Sequence, residues 1–285
     1  MKHEVKTAVD AARSLGAQFA DARAIFLKRE GINLKNGRIG SLEQSETVGI
    51  GIRVLKYGSW GFACTTKLDA ASIKDTAKRA VHVAEASALV KTEDVRWAPE
   101  PAHEDIWATP CVIDPFKVSL EQKLDLMAAI DKSLRKDPAI KVATASMEFQ
   151  REHQFYANTD GSLIEQIITR SGAGYTAVAV GDGDSQRRSY PQSWGGNHKC
   201  MGYELLAHYD LLGNAERIRD EAVALLKAPA CPSGRKTLIL DGPQMALQIH
   251  ESVGHANELD RVLGFEAHFA GRSFMVPDLH KKGFR

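Results

Sequence analysis

The stretch Gln248-Ile249-His250-Glu251-Ser252-Val253-Gly254-His255 sets two imidazoles and a carboxylate close together on an otherwise apolar run. These are the groups a catalytic zinc site needs: nitrogen donors at about 2 Å and a carboxylate able to take a proton from water. The common zincin spacing places its histidines four apart, on one face of a helix. Here they are five apart. A regular α-helix turns about 500° over that interval and would splay the rings by roughly 140°. Gly254, immediately before His255, offers a remedy: a π-type widening or a helix end at that point swings His255 back beside His250.

The surrounding residues support a built site over a chance cluster. Met245, Leu247, Ile249 and Val253 are expected to bury the segment, so its polar trio needs compensation. Glu258 and Asp260 follow closely, and either can orient an imidazole through its outer nitrogen; Glu258 can also serve as an oxygen ligand. Leu238-Ile239-Leu240 reads as a short strand leading through Asp241-Gly242-Pro243 into a helix start. His268, further on, reads as an ordinary surface or core histidine.

Taken together, His250-Glu251-Ser252-Val253-Gly254-His255-Ala256-Asn257-Glu258-Leu259-Asp260 resembles HExxGHxxExD, the signature of the active TldD branch of the TldD/PmbA metallopeptidase family. Asn36-Gly37-Arg38, the run Gly49 to Leu55, Gly58 to Ala63, Arg187-Arg188, Gly195-Gly196 and Gly202-Tyr203-Glu204 resemble further segments of that family. The resemblance implies a zinc peptidase acting on peptides or unfolded segments inside a two-subunit shell, a homodimer or a heterodimer with a paralogous subunit. It implies His250 and His255 as metal ligands, Glu251 as general base, and Glu258 and Asp260 behind them. It also implies a third ligand, a cysteine further along. Cys64, Cys111, Cys200 and Cys231 all precede the motif and match no such position, so the expectation is a chain truncated before that ligand. A non-catalytic, shell-forming or regulatory subunit that assembles with an active partner is the alternative.

The elements that must position this site read as α+β. Val5, Ala8, Val9, Ala12 and Leu15 recur at helical spacing. Alternating runs follow at 22–27, 31–35 and 38–44, with Asn36-Gly37 a type I′ hairpin signal. Val48 to Leu55 and Trp60 to Thr65 form a second hairpin around Lys56-Tyr57-Gly58-Ser59, and Leu68 to Leu89 a long helix capped by Asp69. Residues 92–115 hold four prolines and read as an extended arm pinned by Trp97 and Trp107. A second unit opens at Ser119 with a helix to about Arg135. Strands follow at 142–150, 153–157, 162–169 and 174–180, around an Asp160-Gly161 turn. The similarity of the two units suggests a duplicated helix-plus-hairpins unit.

Residues 181–200 read as a mobile loop whose Arg187 and Arg188 face solvent, with no strand–GxGxxG–helix context for a nucleotide. Tyr203 to Leu226 reads as one long amphipathic helix. The domain expectation is therefore 1–98, a linker at 99–118, a central α+β domain at 119–228, and the start of a catalytic domain at 229–285. Beyond Gly264, Phe265, Phe269, Phe274, Met275 and Val276 are expected to be partly exposed.

Composition narrows the partners. The 285 residues carry a net charge of +1, which gives no electrostatic case for nucleic acid or an anionic membrane. Four cysteines without a CxxC pair argue against a disulfide scaffold, and no run has the length of a signal or membrane segment. A cytoplasmic location is expected. No serine or cysteine nucleophile motif offers a different hydrolase.

Overall fold

Both hairpin turns take the backbone that their sequences ask for. Asn36 and Gly37 have φ of 50° and 74°, and Tyr57 and Gly58 have 50° and 69°, the left-handed pair that lets a two-residue turn follow the twist of its strands. The computed structural model describes residues 1–181, 183–192 and 195–275. Within it β1 (Phe19–Lys35), β2 (Arg38–Lys56) and β3 (Ser59–Thr65) are joined by those turns. After the arm come β4 (Glu104–Ala108), β5 (Ile140–Asn158), β6 (Leu163–Gly181), β7 (Asp184–Tyr190) and β8 (Asn197–Lys199).

These strands form one sheet in the order β3-β2-β1-β5-β6-β4, with β7 and β8 also pairing with β6. All pairs are antiparallel except β4 with β6. The helices α1 (Lys2–Ser14), α2 (Ala70–Ala88), α3 (Leu120–Leu134), α4 (Leu205–Tyr209) and α5 (Ala215–Leu225) complete the unit Met1–Ala228. The described residues from Pro229 onward form a separate unit.

Alternation along the strands places two cores on one face of the sheet. Ala20, Ala22 and Ala24 of β1 and Ile50, Ile52 and Val54 of β2 pack with Val5, Val9, Ile73 and Val81 of α1 and α2. Ile32 and Leu34, which continue the same alternation four steps beyond Ala24 on β1, pack with Met127, Ile130 and Leu134 of α3 and with Ile218 of α5. The opposite face carries none of the helices α1 to α5. The helices start where capping chemistry allows: Asp69 accepts from Ser72 N at 2.9 Å, and Ser119 and Gln122 form a reciprocal capping box.

Side chains stitch the two halves together. Asn36 Oδ1 accepts from Ala143 N at 2.8 Å, and Gly37 N donates to Asp131 Oδ1 at 2.9 Å. Lys123, fully buried on α3, donates to Glu30 of β1 and, at 2.7 Å, to the Pro115 carbonyl. Gln44 donates to the second Glu30 oxygen at 2.7 Å. A buried charge pair survives only when its remaining lone pairs and protons are met in this way.

Several expectations change. The short strands expected at 22–27 and 31–35 are one strand, as are 38–44 with 48–55, 142–150 with 153–157, and 162–169 with 174–180. Backbone pairing carries each strand across the polar stretch where the pattern lapses. Residues 1–98 and 119–228 share one sheet, because β1 pairs with β5 from Asp21–Asn158 to Lys35–Thr144. The expected linker contains β4. The expected loop at 181–200 holds β7 and β8, drawn into strand by the edge of β6, and Arg188 pairs with Glu221 at 2.7 Å. The single helix expected over 203–226 is two, broken where Asp210 takes φ 43°. Trp97 does pin the arm: it stacks on Phe19 at 3.9 Å and donates to Asp160 at 3.1 Å, while Trp107 stays half exposed. Among the described residues no helix is long and apolar enough to cross a membrane.

Candidate metal centre

Asp241 opens the helix that carries the motif. Its side chain accepts from Gln244 N at 3.2 Å, and Pro243 occupies the first turn, where its missing N–H costs nothing. This helix, α6 (Gly242–Ile249), runs directly into a π-helical turn at His250–Gly254, followed by a 3-10 turn at His255–Asn257 and by α7 (Leu259–Leu263). The backbone N–H of His255 donates to the carbonyl of His250, five residues back. A π-turn advances each residue by roughly 80° in place of 100°, so five residues bring the chain nearly round to the starting face.

The widening converts an unfavourable spacing into a cluster. The His250 and His255 rings lie 4.4 Å apart between centroids with their planes at 81°. Nε2 of His250 is 3.8 Å from Glu251 Oε1, and Nε2 of His255 is 3.9 Å from Glu251 Oε2. One donor atom from each of the three lies within 4.8 Å of the others, close enough for a shared cation. The outer nitrogen of His255 faces the other way: Nδ1 is 3.0 Å from Glu258 Oε1. A carboxylate at that nitrogen fixes the ring's tautomer and leaves Nε2 as the lone-pair donor.

Sequence reasoning placed Glu258 and Asp260 behind the ligands. The structure brings Glu258 to His255 but gives Asp260 another task, accepting from Arg261 N at 2.9 Å. Two residues were missed. Arg261 holds Glu258 Oε2 at 3.0 Å, so neither Glu258 oxygen is free to act as a fallback ligand. Ser273 Oγ donates to the Ala256 carbonyl at 2.6 Å, tying the following loop to the turn that carries His255. The i, i+3 spacing of Glu258 and Arg261 was a legible signal for the first; the second had none.

Burial departs from expectation. Met245, Ile249 and Val253 are exposed, as are His250 (61% by side chain) and Glu251 (60%), because the described part of this unit is a string of short helices with little to lay over α6. Leu238-Ile239-Leu240 forms no strand, since no described strand pairs with it. Phe265, Phe269 and Phe274 are exposed as expected, His268 lies at the surface, and Val276 falls outside the described residues.

Comparison with known proteins adds an independent line. A family model described as PmbA/TldA metallopeptidase domain 1 matches residues 20–84, and one for the PmbA/TldA metallopeptidase central domain matches residues 113–227. A protein named a metalloprotease from Methanocaldococcus jannaschii is 29% identical over 86% of this chain and 52% of its own length. Another from Methanothermobacter thermautotrophicus is 28% identical over 90% of this chain and 54% of its own. The chain thus spans about half the length of these relatives.

Among solved structures, a candidate modulator of DNA gyrase from Bacteroides thetaiotaomicron superposes with a TM-score of 0.72 at 15% identity, over 92% of this chain and 58% of that one. TldE from Thermococcus kodakarensis gives 0.54 at 12% identity, over 79% and 47%. At such identities these two speak for the fold alone. The two domain matches, which together span most of the sheet and its helices, and the relatives named metalloproteases assign this chain to the PmbA/TldD metallopeptidase family.

Proposed function

We propose that the His250–Glu251–His255 cluster is the core of a zinc-dependent peptidase site, of the TldD type, that hydrolyses peptide bonds in peptides or unfolded segments. The observation that carries this reading is the π-turn, which costs helix regularity and yields a convergent donor set in return. Two neutral imidazoles beside a carboxylate suit zinc better than calcium or magnesium, whose donors are oxygens. Bound there, the cation supplies Lewis acidity, lowering the pKa of water toward about 7 and polarising a carbonyl.

The residues of the chain do the remaining work. His250 and His255 present nitrogen donors, and Glu258, held by Arg261, keeps His255 in the tautomer that donates through Nε2. Glu251 is placed to accept a proton from the attacking water and to return it to the leaving amine. Its carboxylate lies beside both Nε2 atoms and takes no other ion-pair partner among the described residues. A catalytic site keeps three protein ligands, so the reading includes a third donor, with assembly of two subunits, alike or paralogous, as the working form.

Zinc analysis of the purified chain tests the reading. Stoichiometric zinc that is lost in His250→Ala and in His255→Ala supports it. Absence of zinc, after supplementation, both in the unaltered chain and in an assembly that supplies the third donor overturns it and leaves the same scaffold as a non-catalytic shell subunit.

A further inference from the structure

The face of the sheet opposite helices α1 to α5 is not uniformly flat. Open-face positions run Cys64–Gly51–Arg23 across β3, β2 and β1, and next to them come Gly49 opposite Ile25 and Thr47 opposite Leu27. Gly49 and Gly51 are both in extended strand and take no positive φ, so their backbone conformation does not demand glycine. What they provide is room. With neighbouring strands about 4.8 Å apart, two successive missing side chains leave a trough on the order of 10 Å wide between β3 and β1. Its volume is about 1010 Å³.

The floor and walls differ in character. Ile25 and Leu27 are half-buried, and the Phe62 ring, leaning over Gly51, is 59% exposed. Three guanidinium groups line the same groove. Arg53 is neutralised by Asp21, and Arg79 meets Asp75 at 3.4 Å. Arg23 has no carboxylate within 4.0 Å among the described residues and only the Tyr156 ring beside it, 5.6 Å away. An exposed, unpaired cation at the side of an apolar trough is the complement of an extended chain that alternates apolar side chains with a carboxylate. A nucleic acid fits less well. It asks for a continuous basic stripe, whereas Glu148 and Glu152 of β5 occupy the same open face.

We propose that this trough is a docking site for an extended acidic–apolar segment of a client polypeptide, with its carboxylate on Arg23 and its apolar side chains on Ile25, Leu27 and Phe62. It rests on the peptidase reading only for what the client is for; the groove itself is independent of the metal.

Fluorescence anisotropy on the full chain tests it. The probe is a labelled unstructured peptide of alternating leucine and glutamate with glycine spacers, and the control carries lysine for glutamate. The acidic peptide is expected to saturate and the lysine peptide not. Arg23→Glu is expected to weaken binding by about tenfold or more, and Arg23→Gln, the variant least able to disturb the fold, by a smaller factor in the same direction. Equal binding by both peptides, or by Arg23→Glu and the unaltered chain, overturns the proposal. So does tighter binding of oligothymidylate than of the acidic peptide, or a sedimentation dimer that Arg23→Glu dissociates, since the face would then belong to DNA or to a second copy. His250→Ala keeps peptide binding while losing zinc, and Arg23→Glu keeps zinc, so the two readings fail separately.

Discussion

Nδ1 of His255 lies 3.0 Å from Glu258, and the other oxygen of that carboxylate lies 3.0 Å from Arg261. The three form a relay that holds one imidazole in a single tautomer. Glu258→Gln keeps the size of the side chain but weakens its hold on both neighbours. Zinc affinity is expected to fall by about 10- to 100-fold, the range usual for a partner behind a ligand. Competition against a chromophoric chelator reads it, and an unchanged affinity would show that the relay has no bearing on the metal.

Glu251 sits between the two Nε2 atoms, without an ion-pair partner outside the cluster among the described residues. Glu251→Gln is expected to retain zinc and to lose at least about 100-fold in hydrolysis of an unstructured peptide by an active assembly, since a general base commonly contributes 10²–10⁴. Product formation followed by mass spectrometry, alongside metal content, separates a lost base from a lost ligand.

The buried Lys123–Glu30 pair joins α3 to β1. Lys123→Met leaves Glu30 buried with only Gln44 beside it, and a stranded charge of this kind costs about 3–5 kcal/mol. The double variant Lys123→Met, Glu30→Gln removes both charges and is expected to recover most of that loss. Urea midpoints of the two variants decide it: equal destabilisation would mean that packing, not charge, holds the seam.

Glu204, at the start of α4, fastens the end of the arm. Burial pushes its carboxyl up, but backbone N–H donors from Ile113, Gly202 and Val112 outweigh burial and hold it below the usual carboxylate range. A carboxyl depressed on folding adds stability above its unfolded pKa, and the gain disappears as pH falls through the folded value. Glu204→Gln is therefore expected to unfold at lower urea than the unaltered chain at pH 7, with the gap closing as pH is taken below about 4. A gap independent of pH would refute the ionic origin.

Much of this is legible in the sequence alone, and the reasons for the rest are physical. Asn36-Gly37, the Asp69 and Ser119 caps and the widening near Gly254 depend on a few neighbouring residues, and each is where the sequence put it. The long strands were not legible as wholes. β1 passes from one helix layer to another, and Lys28 and Glu30 occupy the gap, so the apolar alternation lapses while the backbone pairing continues. β7 reads Asp184-Ser185-Gln186-Arg187-Arg188-Ser189-Tyr190, a loop by composition; its strand conformation comes from β6. The break at Asp210 was written in Asp210, Gly213 and Asn214, and a regular apolar spacing across them concealed it. At the metal cluster, residue types and spacing pointed to His250, Glu251, His255 and Glu258, but nothing local could say that α6 would remain so exposed.

The seam between β1 and β5 also sets a schedule for synthesis. The shortest loop that it closes runs from Lys35 to Thr144, so the first hairpin emerges with one long flank bare. At about 5–20 residues per second, that flank waits roughly 5–20 s on the ribosome before its neighbour is made. An unpartnered strand of seventeen residues is an invitation to pair with the wrong chain. Shielding that nascent edge is therefore expected to raise the yield of correctly folded chain.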